Sequence, residues 1–208
     1  MSQGFWTTDD FEVFSIEGLE YRMNALQTRI QPKFEQIGQQ ISASLSSRGT
    51  GEFFPHVTRH ARRTVNPPKD SWVAFATAKR GYKALPHFQI GLWGTHLFII
   101  LAVIYENPDK KGIAERLKKN VKTITSLPGD FVVSGDHMKP EAFVVDEIGT
   151  NGVESLLDRL ESVKKAEFII GRHVSRVRAT DLTESEFYNL AEKTIDELFP
   201  VYEIIIGK

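Results

Sequence analysis

The chain has 208 residues, with 26 Lys+Arg against 27 Asp+Glu, 41% hydrophobic and 25% charged residues, and no Cys. At roughly 150 residues per domain this is one domain, or one with a small annex, and the composition is that of a folded soluble protein. The lack of Cys excludes disulfide frameworks, thiolate zinc sites, iron–sulfur clusters and cysteine nucleophiles, and it suits a reducing compartment, so the expected location is cytoplasmic. Residues 1–10 show no basic segment followed by an apolar run, so no secretory signal is expected. The longest apolar run, residues 97–104, is eight residues where a membrane-spanning helix needs about 20, and no membrane association is expected.

Leu19, Met23, Leu26, Ile30, Phe34, Ile37, Ile41 and Leu45 recur at steps of three and four, the period of one buried helical face. A long amphipathic helix is predicted, kinked or broken at Pro32, which removes a backbone donor, and ended by the Ser- and Gly-rich residues 42–51. Residues 54–65 read as a second helix with Pro55 in its first turn and Asn66-Pro67-Pro68 as its stop. The period then changes. Residues 72–78, 86–93 and 96–105 are strand-like, separated by Arg80-Gly81 and Gly94-Thr95, and three successive antiparallel strands are expected. In the middle strand Phe88, Ile90 and Leu92 face the core while His87, Gln89, Gly91 and Trp93 face the other way. The third is apolar throughout, as in a central strand covered on both sides, although a buried helix segment has the same pattern.

Asn107-Pro108-Asp109 opens a helix with Ile113, Leu117, Val121 and Ile124 on one face, and Leu127-Pro128-Gly129 closes it. Residues 131–133 and 142–145 are short strand candidates around the polar turn Ser134-Gly135-Asp136-His137. Val153, Leu156, Leu157, Leu160 and Val163 make a helix started by Asn151, and residues 166–171 follow as a strand. Thr183 and Glu186 form a T-x-x-E capping box, each side chain satisfying an orphan amide of a last helix whose inward face is Phe187, Leu190, Ala191, Thr194 and Leu198. Residues 201–206 read as a terminal strand.

The nearly neutral total hides one concentration of charge. Residues 54–93 carry Arg59, Arg62, Arg63, Lys69, Lys79, Arg80 and Lys83 against Asp70 alone, whereas the segments on either side are net acidic. On a helix over 54–65, His56, Arg59, His60 and Arg63 would share one stripe opposite Phe54, Val57, Ala61 and Val65. Guanidinium groups grip phosphate or carboxylate bidentately and imidazole adds donors at shorter reach, so the stripe suits an anion. Arg80, Lys83, His87 and Gln89 lie in the same segment and would converge if the helix lay over the strand face. The candidate anion site is therefore His56, Arg59, His60, Arg63, Arg80, Lys83, His87 and Gln89. A basic face is more often solvated or paired with acids, and 26 acids stand outside this segment.

Other motifs carry less. His56-x-x-x-His60 has the spacing of a zinc helix, with His87, His137 or Asp136 as conceivable third ligands, but Val57 stands where a zincin has its Glu, and no metal is assigned. Asp136-His137 could be an orienting pair for acid–base chemistry, yet a polar turn explains it as well. Gly-x-Ser-x-Gly, Walker and dinucleotide motifs are missing, and no cofactor is expected.

The stretch HVTRHARRTVNPPKDSWVAFATAKRGYKALPHFQIGLW (residues 56–93), with IQPKF at 30–34, SGDHMKP at 134–140 and RLESVKKAEF at 159–168, resembles the YktB-like family of bacterial proteins. The likeness runs from about residue 4 to residue 202. It implies an α+β protein with an antiparallel sheet flanked by helices, similar to the layer of TATA-binding-like folds, and it brings no activity with it. The expected architecture is one α+β domain over residues 1–208, with the long N-terminal and C-terminal helices packed on one layer. The expected function is binding of an anionic, phosphate-containing ligand, a small molecule or a nucleic-acid phosphate. The alternative is an enzyme acting on a phosphate or carboxylate compound with one His as acid or base.

Overall fold

In a computed structural model of the chain residues 4–208 are described; residues 1–3, the start of the segment read for a leader, lie outside the described residues. Seven strands form one antiparallel sheet: β1 Phe54–Val57, β2 Asp70–Ala76, β3 His87–Trp93, β4 His96–Val103, β5 Phe131–Ser134, β6 Phe143–Val144 and β7 Phe168–Ser175. Their order is β1-β2-β3-β4-β7-β5-β6. The helices are α1 Thr8–Glu12, α2 Leu19–Ala25, α3 Gln31–Ser47, α4 Lys110–Lys119, α5 Val121–Thr125, α6 Val145–Ser162, α7 Arg176–Asp181 and α8 Glu184–Ile206. The chain is thus α+β, an antiparallel sheet packed against helices. No helix among the described residues is long and apolar enough to cross a membrane.

The alternation read in β3 decides how the layers stack. Phe88, Ile90 and Leu92 point into one large core, together with Val73 and Phe75 of β2 and Leu97, Ile99 and Leu101 of β4. On that side α3 lies against β1 and β2, α8 against β4 and β7, and α6 against β5. Phe34, Ile37, Ile41 and Leu45 of α3 and Phe187, Ala191, Ile195 and Leu198 of α8 are fully buried there, so the two long helices do share one layer. The opposite face is apolar too, with Trp72, Ala74, Trp93, Phe98, Ile100, Ala102, Ile104 and Ile169 forming a second cluster. Among the described residues no α-helix contributes to it; the turn carrying Tyr82 and the loop after β5 lie over it, and that is where the candidate site lies.

Local chemistry accounts for most element ends. Thr183 and Glu186 cap α8 reciprocally, Thr183 N donating to Glu186 Oε2 at 2.9 Å and Glu186 N to Thr183 Oγ1 at 3.4 Å. A second capping box, Thr7 with Asp10, starts α1, which the sequence reading passed over. Pro32 falls in the first turn of α3, where its missing N–H is harmless, and a π turn over Leu26–Ile30 supplies the expected irregularity. Helix α6 begins earlier than Asn151, but Gly149 at φ 55°, ψ −165° interrupts it, so the regular helix does start near the expected place. The strand placed at 166–171 runs on to Ser175.

Three elements differ from expectation. The single helix expected between residues 107 and 129 is broken at Asn120, whose φ of −120° and ψ of 27° are not helical, into α4 and α5. Residues 201–206 do not form a strand: α8 continues through Pro200 to Ile206, because Val201, Tyr202 and Ile205 extend its buried stripe. Residues 54–65 do not form a helix: the first four are the edge strand β1, paired with β2 from Phe54↔Ala76 to Val57↔Val73, and the rest is loop. Pro55 is tolerated because an edge strand has a side with no ladder partner. The apolar phase that suggested a helix is accidental at its far end, since Val65 is 75% exposed.

Candidate functional site

The basic residues nevertheless gather, by a different route. After β1, Thr58 N still donates to Trp72 O at 2.9 Å, and then His60 takes a left-handed φ of 50° and Arg63 N bonds His60 O at 3.0 Å. The chain folds into a tight turn against Trp72, whose ring meets the His60 ring edge-on at 6.0 Å. Facing it is the 3-10 turn Tyr82–Ala84, entered through Gly81 at φ 72° and tied down by Trp72 Nε1 donating to Tyr82 Oη at 3.1 Å. Between the two turns lies a cleft of about 730 Å³ lined by Arg59, His60, Arg62, Arg63 and Lys83, with Trp72, Tyr82, Glu106, His137 and Met138.

The candidate anion residues therefore divide. Arg59, His60, Arg63 and Lys83 reach the cleft, joined by Arg62. Arg59 is also paired with Glu35 at 3.2 Å, both side chains exposed. His56 is turned away: its Nε2 bonds Ala78 O at 2.8 Å and its ring stacks on Tyr82 at 4.9 Å. Arg80 is exposed and does not line the cleft. His87 is wholly buried, with Nδ1 donating to Leu85 O at 2.7 Å, so Nε2 accepts the Gln89 amide at 2.8 Å. Burial foremost, with Arg63 and Lys83 close by, pushes the His60 pKa down to about 4, and burial does the same to His87. These imidazoles are neutral at pH 7, and the cleft's positive charge is that of Arg and Lys.

The zinc-helix spacing fails with the helix, since His56 and His60 face different neighbours. Among the described residues no group of three or more His, Asp or Glu is arranged to hold a metal ion.

Behind the cleft, under the loop that follows β5, is a smaller cavity of about 30 Å³, room for a water or two. Asp70, Gln89, Ser134, Asp136, His137, Lys139, Glu141 and His173 supply its polar wall, and Trp72, Trp93, Phe98, Ile100 and Ile169 its apolar one. His137 and Trp72 line both spaces. His137 is held firmly: its backbone N donates to Glu167 Oε2 at 2.7 Å and its Nδ1 lies 2.8 Å from the same carboxylate. Glu167, 3% exposed at the entry to β7, also accepts from Tyr105 N at 3.3 Å. The bond fixes the tautomer and leaves Nε2 as the ring nitrogen that can meet a ligand. Burial disfavours the imidazolium, but the Glu167 bond and the charges of Glu167 and Asp70 outweigh it, so the His137 pKa lies above the ordinary value.

Asp70, the first residue of β2, is 7% exposed and faces the same cavity. Apart from its own backbone amide it has no hydrogen-bond donor among the described residues. Burial raises its pKa to about 6, against the pull of His137 and Arg63. An unpartnered carboxyl group and a carboxylate-held imidazole thus line one cavity whose neighbouring cleft is cationic. Asp136, the partner first considered for His137, instead accepts Met138 N at 2.9 Å and shapes the turn.

A family model described as "Domain of unknown function (DUF1054)" matches residues 6–202. The chain belongs to this family. DUF1054 relatives called UPF0637 protein include one from Lysinibacillus sphaericus, 57% identical over 203 residues, covering 98% of this chain and 96% of the relative. Others come from Bacillus cytotoxicus, 48% identical with 94% of each chain covered, and Exiguobacterium sibiricum, 48% identical with 96% and 98% covered. The match accords with the YktB-like resemblance. A solved conserved hypothetical protein from Pyrococcus furiosus aligns with 89% of this chain and 99% of its own at a TM-score of 0.42 and 14% identity.

In this DUF1054 chain three of the four segments that carried the resemblance meet at the site. Asp70 and the cleft arginines come from the long central stretch, His137 from SGDHMKP and Glu167 from RLESVKKAEF. Asp70 and Glu167 were missed as site residues. The one available signal was Asp70's isolation as the sole acid in the basic segment.

Proposed function

We propose that the cleft binds a phosphate-bearing small-molecule anion, with Arg62, Arg63 and Lys83 as its principal contacts and Arg59 and His60 at its rim. The observation that supports this is one of pairing: among the described residues Arg62, Arg63 and Lys83 line a single concave space, and none has a carboxylate within 4.0 Å. Cations of a merely solvated face would fan outward, and cations of a structural network would be neutralised, as Arg172 is by Asp130 and Glu197. The enclosure by Trp72 and Tyr82 favours a compact ligand over a nucleic-acid backbone, whose contacts spread along an open surface.

Calorimetric titration with inorganic pyrophosphate and with a single-stranded oligonucleotide, each at two salt concentrations, tests the reading. Pyrophosphate should bind with modest salt dependence. The double substitution Arg62→Ala, Arg63→Ala should weaken it by at least a hundredfold, since a hydrogen bond to a charged group contributes about 1.5–3 kcal/mol. Absence of pyrophosphate binding would sink the proposal, and tight oligonucleotide binding with a steep salt slope would replace it with a nucleic-acid interface.

A further inference from the structure

We infer that the inner cavity is a hydrolytic centre for the cleft's ligand, in which Asp70 takes a proton from water and His137 gives one to the departing oxygen of a phosphate ester. The inference rests on the anion reading of the cleft and adds a reaction to it.

Three features support the assignment. Asp70 is more than nine-tenths buried, faces the cavity, and lacks any donor beyond its own amide. With no donor but its own amide, that carboxyl group is free to bond a molecule held in the cavity that it lines. His137 carries the arrangement of an acid–base imidazole, with Nδ1 on a buried carboxylate and Nε2 left over, and among the described residues it is the one ionisable side chain that lines both the cavity and the cleft. Finally, the cavity has room for water and a second polar contact for it. Gln89 spends one N–H on His87, which leaves its carbonyl oxygen and other N–H for the cavity it lines.

The chemistry balances without a metal or cofactor. Water held by Asp70 and Gln89 attacks phosphorus as its proton passes to the Asp70 carboxylate. The bond from phosphorus to the ester oxygen breaks, and that oxygen takes the Nε2 proton of the His137 imidazolium. The products are an alcohol and a phosphate with one ester bond fewer, and return of the Asp70 proton to His137 restores both groups. The shifted acidities serve these roles: a carboxyl group near 6 is a stronger base than an ordinary one, and an imidazole of raised pKa holds its proton more firmly than an ordinary one. Arg62, Arg63 and Lys83 would meet the charge that grows on the phosphoryl oxygens. Glu167 is a positioning residue, acting through His137.

Orthovanadate, which adopts the five-coordinate geometry of phosphoryl transfer, tests this against inorganic phosphate as the ground-state probe. The full-length protein should bind vanadate at least tenfold more tightly than phosphate. In Asp70→Asn the phosphate affinity should rise, because a nearby negative charge is gone, while the preference for vanadate falls below threefold; His137→Gln should lose the preference too. Equal affinities in the native protein overturn the hydrolytic centre and leave the anion cleft standing. A preference that survives both substitutions overturns the residue assignments. Failure to bind either anion overturns the reading of the cleft itself, and with it this inference.

Discussion

Asp70→Asn should stabilise the protein above pH 6 and leave it unchanged near pH 3. The folded chain holds the Asp70 proton more tightly than the unfolded chain, with a pKa of about 6 against the ordinary 3.8. Stability is therefore highest where both states are protonated, declines as the pH rises from 3.8, and has lost its full increment above 6. A rise of about two pH units at 1.36 kcal/mol each makes that increment about 3 kcal/mol. The residue is 7% exposed, so solvent screens little of it. Asparagine keeps the shape and removes the charge, so the whole increment should return at pH 8, a gain of roughly 6 to 12 °C in Tm for a chain of this length. Urea unfolding followed by tryptophan fluorescence at pH 4 and pH 8 measures it. A variant less stable than the native protein at pH 8, or one whose gain is the same at both pH values, would refute the idea that an ionised carboxylate is held there at a cost to the fold.

Three further outcomes follow from particular contacts. In Glu167→Gln the His137 imidazole, followed by NMR titration, should have its midpoint below the ordinary 6.5 instead of above it, since burial then acts with less opposition; a midpoint that stays high would remove Glu167 from its positioning role. Gly91→Ala should cost about 3 kcal/mol or more, because its Cβ would stand 2.3 Å from Phe98 Cζ and 2.5 Å from the Ser71 carbonyl in the middle of the sheet; an unchanged melting temperature would contradict that packing. Acid should weaken the fold below pH 6.5: His60, His87 and His96 have pKa values near 4 and His173 near 3, all lowered by burial. The unfolded chain takes up those protons first, so stability falls with falling pH across that window, against the smaller opposite trend of Asp70; a urea midpoint flat from pH 6.5 to pH 4 would show that these imidazoles are not buried as described.

Periodicity was a good guide where an element buries one continuous face. The apolar positions from Leu26 to Leu45 and the alternation of β3 gave the helix layer and the sheet face directly. It misled where burial is partial. In residues 54–65 Phe54 and Val57 are half-buried on an edge strand and Val65 is exposed, so their spacing reported no common surface. At residues 201–206 the Ile-rich run has β propensity, yet Val201, Tyr202 and Ile205 continue the buried side of α8, and packing prevailed. The basic rim was legible because its residues are close in sequence and unbalanced in charge. The cavity behind it was not, because Asp70 and Glu167 stand at opposite ends of two non-neighbouring strands, β2 and β7, and the loop after β5, which carries His137, joins them across the sheet face.

The most direct measurement of the central claim is a two-dimensional NMR titration of the full chain with inorganic pyrophosphate, read at its three tryptophan indole N–H signals. Trp72 lines the cleft and donates to Tyr82, whereas Trp6 is fully buried on the helix side against Phe34. The Trp72 signal and the backbone amides of residues 58–63 should move saturably while Trp6 stays in place. A titration that leaves Trp72 unmoved, or shifts all three indoles alike, would contradict the cleft as the binding site.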